Sequence, residues 1–580
     1  MSKEFSITGN KVIMNFSQQY YDTSGELLDS EGLVKVVKSY IGANKEKSSH
    51  IYTYLEKFFR SSDVDALTDE LCDIIKFLNI MTIDEISSKI NKYHGLSQER
   101  GHLLQIIEEL YDYWRRLERY TIVEQKADSE GIEVVNFLGA NNVLKALVLD
   151  TYRRVEYALT GEYPKVYRQV QAGANAGLVV KRYDYGLDEK YKLVKDIPII
   201  NKIMIETPYI TYTKSNKRDG FFKEVKENPF DGVKIRPEHF YCYPAKVGDN
   251  LIYIYFHRDL LTHGIATSNL FELASEEDLK GRKPDAIYLF GAKNDPEDRL
   301  VFYIDEENDL LVGYVNYKDS VDYFGYLKKM SLTLNNIINI RRGFLPIHGA
   351  GVHIVLQNGK SANIVILGDS GAGKSESIEA FRSLAKDYIR EMTVIFDDMG
   401  SFRIENGQVM AYGTEIGAFV RLDDLEAGYA FKQIDRSVFM NPDKVNARLI
   451  MPVSTYDQIM EGYKVDFFLY ADNYSAVLEN EKSFNILETK EDALRIFKRG
   501  ARLAKGTTTE TGLVQTYFAN PFGPVQKEEE CDLLLEEYFD KLFENQIKIG
   551  TLRTQLAIQG MEFEGPRSAA IELFERIKEL

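Results

Sequence analysis

Cysteine is scarce in this chain of 580 residues: only Cys72, Cys242 and Cys531 occur, far apart and without paired spacing. That argues against a disulfide framework and a cysteine-based zinc site, and it suits a reducing compartment such as the cytoplasm. Long apolar runs are missing as well. No uninterrupted stretch approaches the ~18 residues that a membrane-crossing helix needs. The opening MSKEFSITGNKVIMNF has no apolar core of the kind that marks a secretory leader. The expectation is a chain that is neither exported nor membrane-spanning. Positive charge is in deficit, with 72 Lys and Arg against 89 Asp and Glu and a formal net charge of −17. So acidic a surface repels phosphate-rich partners, which argues against a general nucleic-acid or anionic-membrane binder and confines basic sites to local clusters. Internal repeats and low-complexity tracts are absent too.

What is present suffices for real cores: 44% of residues are hydrophobic and 12% aromatic, in a length that suits two to four domains. From about residue 32 to 170 the texture is helical. Leu103, Ile106, Ile107, Leu110, Trp114 and Leu117 recur at three- and four-residue intervals, and the polar breaks SSDVD (61–65) and GLSQE (95–99) read as capped helix junctions. The pattern predicts an all-helical first domain over residues 1–195, a scaffold or a module for a protein partner. Around 185–200 the texture changes. LIYIYF (251–256), AIYLF (286–290) and VFYI (301–304) alternate with turns such as GDN and KNDPED, the mark of α/β or α+β structure. Residues 196–342 are expected to form a substrate lobe and residues 343–580 a nucleotide-binding lobe.

After residue 343 the order reads strand (GVHIVL), turn (QNGK), strand (NIVIL), glycine-rich loop, helix to about 386, and strand (TVIFDDMG). The loop consists of Gly368, Asp369, Ser370, Gly371, Ala372, Gly373, Lys374 and Ser375, with Glu376 following. At ordinary residue frequencies its four fixed positions would arise by accident about 0.02 times in such a chain. In a loop of this kind backbone amides surround a β-phosphate and the next helix aims its positive end at it; the lysine reaches the outer phosphates and the serine coordinates Mg²⁺. A bound nucleoside triphosphate is therefore expected. The strand beyond ends in Asp397 and Asp398, where nucleotide enzymes place the carboxylate that orders the Mg²⁺ shell.

Several separated segments from about 205 to 580 resemble ATP-dependent phosphoenolpyruvate carboxykinase. They are SEEDLKGRKPDAIYLFGAKNDP (275–296), YFGYLKKMSLTLNNIINIRRGFLPIH (323–348), FDDMGSF, NARLIMP (446–452) and LAKGTTTETGLVQTYFANPFG (503–523). The resemblance implies a carboxykinase-like α/β catalytic core with a phosphate loop, preceded by the helical domain. It implies that Lys329, His348 and Asp398 hold a transition metal, usually Mn²⁺, for which the lysine must be a neutral amine. It further implies that Lys328 and the dication lower the pKa of Lys329, that Asp397 orders water on the Mg²⁺ shared with Ser375, and that Lys374, Arg421 and Arg448 offset the charge on the transferring phosphoryl group. Tyr323 would line the substrate pocket. The implied reaction converts oxaloacetate and ATP into phosphoenolpyruvate, CO₂ and ADP.

The chain departs from the family pattern in three places. The arginine that clamps the dicarboxylate has no clear counterpart, and YTKSNKRDGFF (212–222) offers Lys214 or Arg218 instead; an ammonium is not equivalent to a planar fork. Thr509 stands where the nucleotide-side motif has an arginine. About 190 helical residues replace most of the family's amino-terminal region. GDSGAGKSE also resembles the loop of HPr kinase, so a kinase acting on a protein or metabolite hydroxyl, with Asp397 or Asp398 as base, stays open. A nucleotide sensor without catalysis is the third reading, disfavoured because a sensor needs no second-metal triad.

Overall fold

The apolar runs on either side of the turn QNGK pair as an antiparallel hairpin. Strand Leu345–Leu356 lies against strand Ser361–Leu367, with Gly349 opposite Leu367 and Val355 opposite Ser361. The computed structural model describes the chain except residues 1–5, 9, 10, 16–20, 125–132, 162–175, 183–186, 294–298, 370, 385–387, 423–435, 479, 505–511 and 580. It divides into two units, Met1–Lys181 with Lys202–Glu206, and Arg182–Asn201 with Thr207–Leu580. The architecture mixes helices with parallel and antiparallel strands, α/β in the broad sense.

In the first unit several helices start at capping residues, whereas the break at 95–99 is a short turn, Leu96–Glu99, that leads into helix Arg100–Arg116 without a side-chain cap. Ser30 caps helix Glu31–Glu46 by accepting from the Leu33 amide, and Asp63, inside the break at 61–65, caps helix Val64–Leu78 by accepting from Ala66. The six-residue stripe from Leu103 to Leu117 is buried in one core. The unit is not all-helical, however. Strands Ser6–Thr8, Lys11–Asn15, Glu118–Glu124 and Ala176–Lys181 form a ladder that is antiparallel at its first pair and parallel at the next two. These β-branched runs are short and adjoin long helices, so a helical period read over longer windows averages across them.

The boundary also moves from the expected 195 to 181/182. Tyr191, Val194, Ile197 and Ile199 bury against Phe240, Cys242 and Tyr253 of the second unit, and that apolar contact decides where the segment belongs. The two lobes expected on either side of residue 342 pack as a single unit.

That second unit contains two large sheets. In one, strands Phe240–Val247, Asn250–His257, Ala286–Ala292, Leu310–Asn316 and Leu300–Asp305 neighbour each other in this order. Helix Phe324–Arg341 packs on it so closely that a Cβ at Gly313 would come 3.0 Å from a Leu334 methyl. Burial on nearly all sides explains why this helix carries no clean amphipathic stripe. In the other sheet the order is Gln408–Gly413, Ile389–Glu405, Leu345–Leu356, Ser361–Leu367, Phe467–Asp472 and Lys548–Arg553, with short strands at both edges. A smaller sheet joins Gly417–Arg421, Arg448–Pro452, Val438–Met440 and Tyr209–Thr211. The three cysteines are buried and unpaired, and no helix among the described residues is long and apolar enough to cross a membrane.

Candidate active site

The glycine-rich loop leaves strand Ser361–Leu367 and runs into helix Lys374–Ser383, as its sequence context requires. Gly371 and Gly373 sit at φ +78° and +104°, and a Cβ at Gly373 would come 2.6 Å from the Thr554 hydroxyl. Two loop carbonyls are turned away from the cradle. Asn473 Nδ2 donates to Gly371 O at 2.9 Å and Thr554 Oγ1 to Ala372 O at 3.0 Å. Within the loop, Asp369 is buried, accepting from Thr516 Oγ1 at 3.0 Å and facing Arg502 Nε at 3.1 Å. Glu376 lies in the first helical turn, where a carboxylate complements the helix dipole. Ser370 and the side chain of Ser375 fall outside the described residues, as does Thr509.

Strand pairing brings the loop to the candidate metal ligands. The Gly368 amide donates to His348 O at 3.0 Å, while Gly349 stands opposite both Leu367 and Asp398 in the ladders on its two sides. A Cβ at Gly349 would come 2.4 Å from Ile366 O, so glycine is what lets these strands close up beside the imidazole. Asp398 then becomes a hub. Its Oδ1 is 2.9 Å from His348 Nε2 and 3.3 Å from Lys374 Nζ, and its Oδ2 is 2.6 Å from Lys329 Nζ and 2.7 Å from Lys328 Nζ. Its φ of +99° is strained for a residue with a side chain and aims the carboxylate off the regular strand direction. Asp397, opposite Ala350, is partly exposed and has interaction partners of its own.

Electrostatics distinguish the groups that meet at Asp398. Burial pushes the Lys329 amine down to about 8, against Asp398 and with help from Lys328. Burial would lower Lys328 as well, but Asp398 and Glu415 outweigh it and hold that ammonium charged. Burial and the nearby Lys374 lower His348. Burial opposes the charge on Asp398, yet Lys328, Lys329 and Lys374 hold its carboxyl well below the usual range.

The donor set fits a dication. His348 Nδ1 faces the Ala519 carbonyl at 2.7 Å, an obligate acceptor, so Nδ1 carries the proton. In the neutral ring Nε2 turns its lone pair toward an Asp398 oxygen, acceptor toward acceptor, a geometry that a shared cation satisfies. Among the described residues no three His, Cys, Asp or Glu side chains cluster in metal-binding fashion. A three-ligand site here would need a donor of another kind, and of the three lysines at Asp398 the Lys329 amine, lowered to about 8, is the candidate.

The other expected residues line the same region. Tyr323, buried ahead of helix Phe324–Arg341, has its hydroxyl pushed up by burial and pulled back by Arg448, Lys328 and Arg218. Arg448 pairs across the ladder with Arg421, and its guanidinium stacks 5.3 Å from the Phe419 ring. Structure also separates the two clamp candidates. Lys214 is bound to the exposed Asp319 at 2.5 Å, whereas Arg218 stacks 5.5 Å from Phe522, whose ring lies 4.4 Å from Lys329 Nζ and edge-on to His348. The Tyr326 hydroxyl braces the next residue, accepting from the Asp219 amide at 3.0 Å.

Three participants carry no sequence signal of their own: Phe522, the Ala519 carbonyl and Glu415, a buried carboxylate 2.9 Å from Lys328 Nζ. No family model and no curated protein matches this chain.

Proposed function

We propose that the second unit is an ATP-dependent phosphotransferase of the phosphoenolpyruvate carboxykinase type, with that family's fold, acting on an oxaloacetate-like keto acid. The observation that carries this reading is the Asp398 hub, where one carboxylate joins Lys374 of the glycine-rich loop to Lys329 and His348.

In this reading Lys329, His348 and Asp398 hold Mn²⁺, while Ser375 and Asp397 serve Mg²⁺ on the nucleotide. When bound, the metals supply Lewis-acid polarisation and charge neutralisation. The remaining work falls to the chain. The loop amides and Lys374 orient the triphosphate; Arg421 and Arg448 neutralise the equatorial oxygens during transfer. Arg218 offers a guanidinium fork to the acceptor's carboxylate, and Tyr323 and Phe522 wall the pocket and exclude water. Loss of CO₂ leaves an enolate whose oxygen takes the γ-phosphoryl group, giving phosphoenolpyruvate and ADP. Asp398, which faces Lys328, Lys329 and Lys374 and is held well below the usual carboxylate range, is poorly disposed to act as the base of a hydroxyl kinase. The first unit serves as a scaffold or partner-binding module, and the unpaired cysteines agree with the cytoplasm.

A coupled assay with oxaloacetate, ATP, Mg²⁺ and Mn²⁺ tests the proposal. Phosphoenolpyruvate and CO₂ form in equal amounts if it holds, and Lys374→Ala and His348→Ala abolish both. Nucleotide turnover without CO₂ release would transfer the case to a hydroxyl or protein kinase. Nucleotide binding with equal residual turnover in wild type and both variants would identify a sensor.

A further inference from the structure

Glu415 is among the most deeply enclosed carboxylates in the second unit, with its side chain 0% exposed. Among the described residues the Lys328 ammonium, 2.9 Å from Oε1, is the one cation within ion-pair distance, and neither oxygen of the Glu415 carboxylate is satisfied by a well-aligned hydrogen bond. Its position is fixed from both sides. Thr414 Oγ1 donates to the Met399 carbonyl at 2.7 Å, and the Ile416 amide donates to Leu270 O at 2.9 Å. At Gly417 a Cβ would come 1.8 Å from Asn269 O, so the chain can pass there only as glycine. The fold thus holds a buried acid against a lysine that already has a carboxylate, Asp398, at 2.7 Å.

The second acid has a purpose if Asp398 is shared with a metal. Lys328 and Lys329 donate to the same oxygen of Asp398. A dication seated on Lys329, His348 and Asp398 draws on that carboxylate and repels the Lys328 ammonium. With its side chain only 1% exposed, Lys328 has no route to water, and a buried ammonium left without an anion is strongly destabilised. Burial pushes the Glu415 carboxyl up to about 7 while Lys328 pulls it back down, and Glu415 is the remaining carboxylate placed to balance that ammonium.

We propose that Glu415 is the counter-ion that retains the Lys328 ammonium when a dication takes up Asp398, making it a positioning residue outside the ligand set on which metal affinity depends. This rests on the metal-site reading above. It leaves Lys328 charged and in place beside Tyr323 and Arg448, rather than competing with the metal for Asp398.

Mn²⁺ titration followed by electron paramagnetic resonance, without nucleotide, tests it. Glu415→Gln is nearly isosteric and is expected to weaken Mn²⁺ binding by about 10- to 100-fold, the range for a group that supports metal ligands without touching the metal. Adding Lys328→Met to Glu415→Gln removes the stranded charge and returns Mn²⁺ affinity to the wild-type level. That double variant also serves if Glu415→Gln alone does not fold, because it buries no unpaired ion. An unchanged Mn²⁺ constant in Glu415→Gln, or a double variant that still binds weakly, overturns the inference while leaving the metal site standing. Absence of Mn²⁺ binding in wild type overturns the metal site and this inference together.

Discussion

Lys329 Nζ lies 2.6 Å from Asp398 Oδ2, joining a helix residue to one that is 69 positions later on a strand. Because burial holds that amine at about 8, it can lose its proton near neutrality. Metal binding then competes with a single proton. Mn²⁺ affinity is expected to rise about tenfold per pH unit below pH 8 and to level off above it, since the proton must leave Lys329 in the lower range. Lys329→Met should weaken binding and flatten the slope, and titrations between pH 6 and 9 check both.

Asp398→Asn leaves Lys329 and Lys374 without their shared anion while Lys328 keeps Glu415. Breaking a buried ion cluster from one side costs about 3–5 kcal/mol. A matching fall in unfolding free energy, measured in urea, is expected, together with loss of Mn²⁺ binding.

Lys374→Ala and His348→Ala should separate the two halves of the site. The first is expected to abolish nucleotide binding, read by calorimetry, and to leave Mn²⁺ binding measurable. The second should weaken Mn²⁺ binding by at least about 100-fold, at or beyond the upper end for groups that merely support a ligand, with nucleotide affinity near wild type.

Arg218→Ala should raise the KM for the keto acid by about 10- to 100-fold, the equivalent of a charged hydrogen bond worth about 1.5–3 kcal/mol. Lys214→Ala should change it little, because Lys214 is committed to Asp319 at the surface. Comparable effects from the two substitutions would remove Arg218 from the acceptor pocket.

At Gly349 an added methyl meets a main-chain oxygen that cannot rotate away. Gly349→Ala is expected to destabilise by about 1–3 kcal/mol, as overpacking does. It should also lower nucleotide and Mn²⁺ affinity together, since the strand carrying His348 must move away from the one feeding the loop.

The features legible in the chain were those written locally. The glycine-rich loop, its flanking strand and helix, and the capped junction at Asp63 depend on residues within a few positions of each other. Lys329, His348 and Asp398 could be gathered only through resemblance, because their approach is created by ladder register and by Gly349, which no local pattern reveals. Glu415 escaped because a lone acid between two strands looks like a turn residue until its burial is known. Choosing Arg218 over Lys214 required the Phe522 ring, some 300 positions further along the chain. The first-unit strands were hidden by brevity: KVIMN and ERYTIVE are too short to outweigh the helices beside them.

The amide of Gly368, bonded to the carbonyl of His348, has a mechanical implication. The opening residue of the glycine cradle and the imidazole-bearing residue are rungs of one hydrogen-bonded frame, so neither can be repositioned alone. Engineering that reshapes the cradle for a bulkier anion would tilt the imidazole with it, and adaptation to a new donor would need compensating changes in both strands.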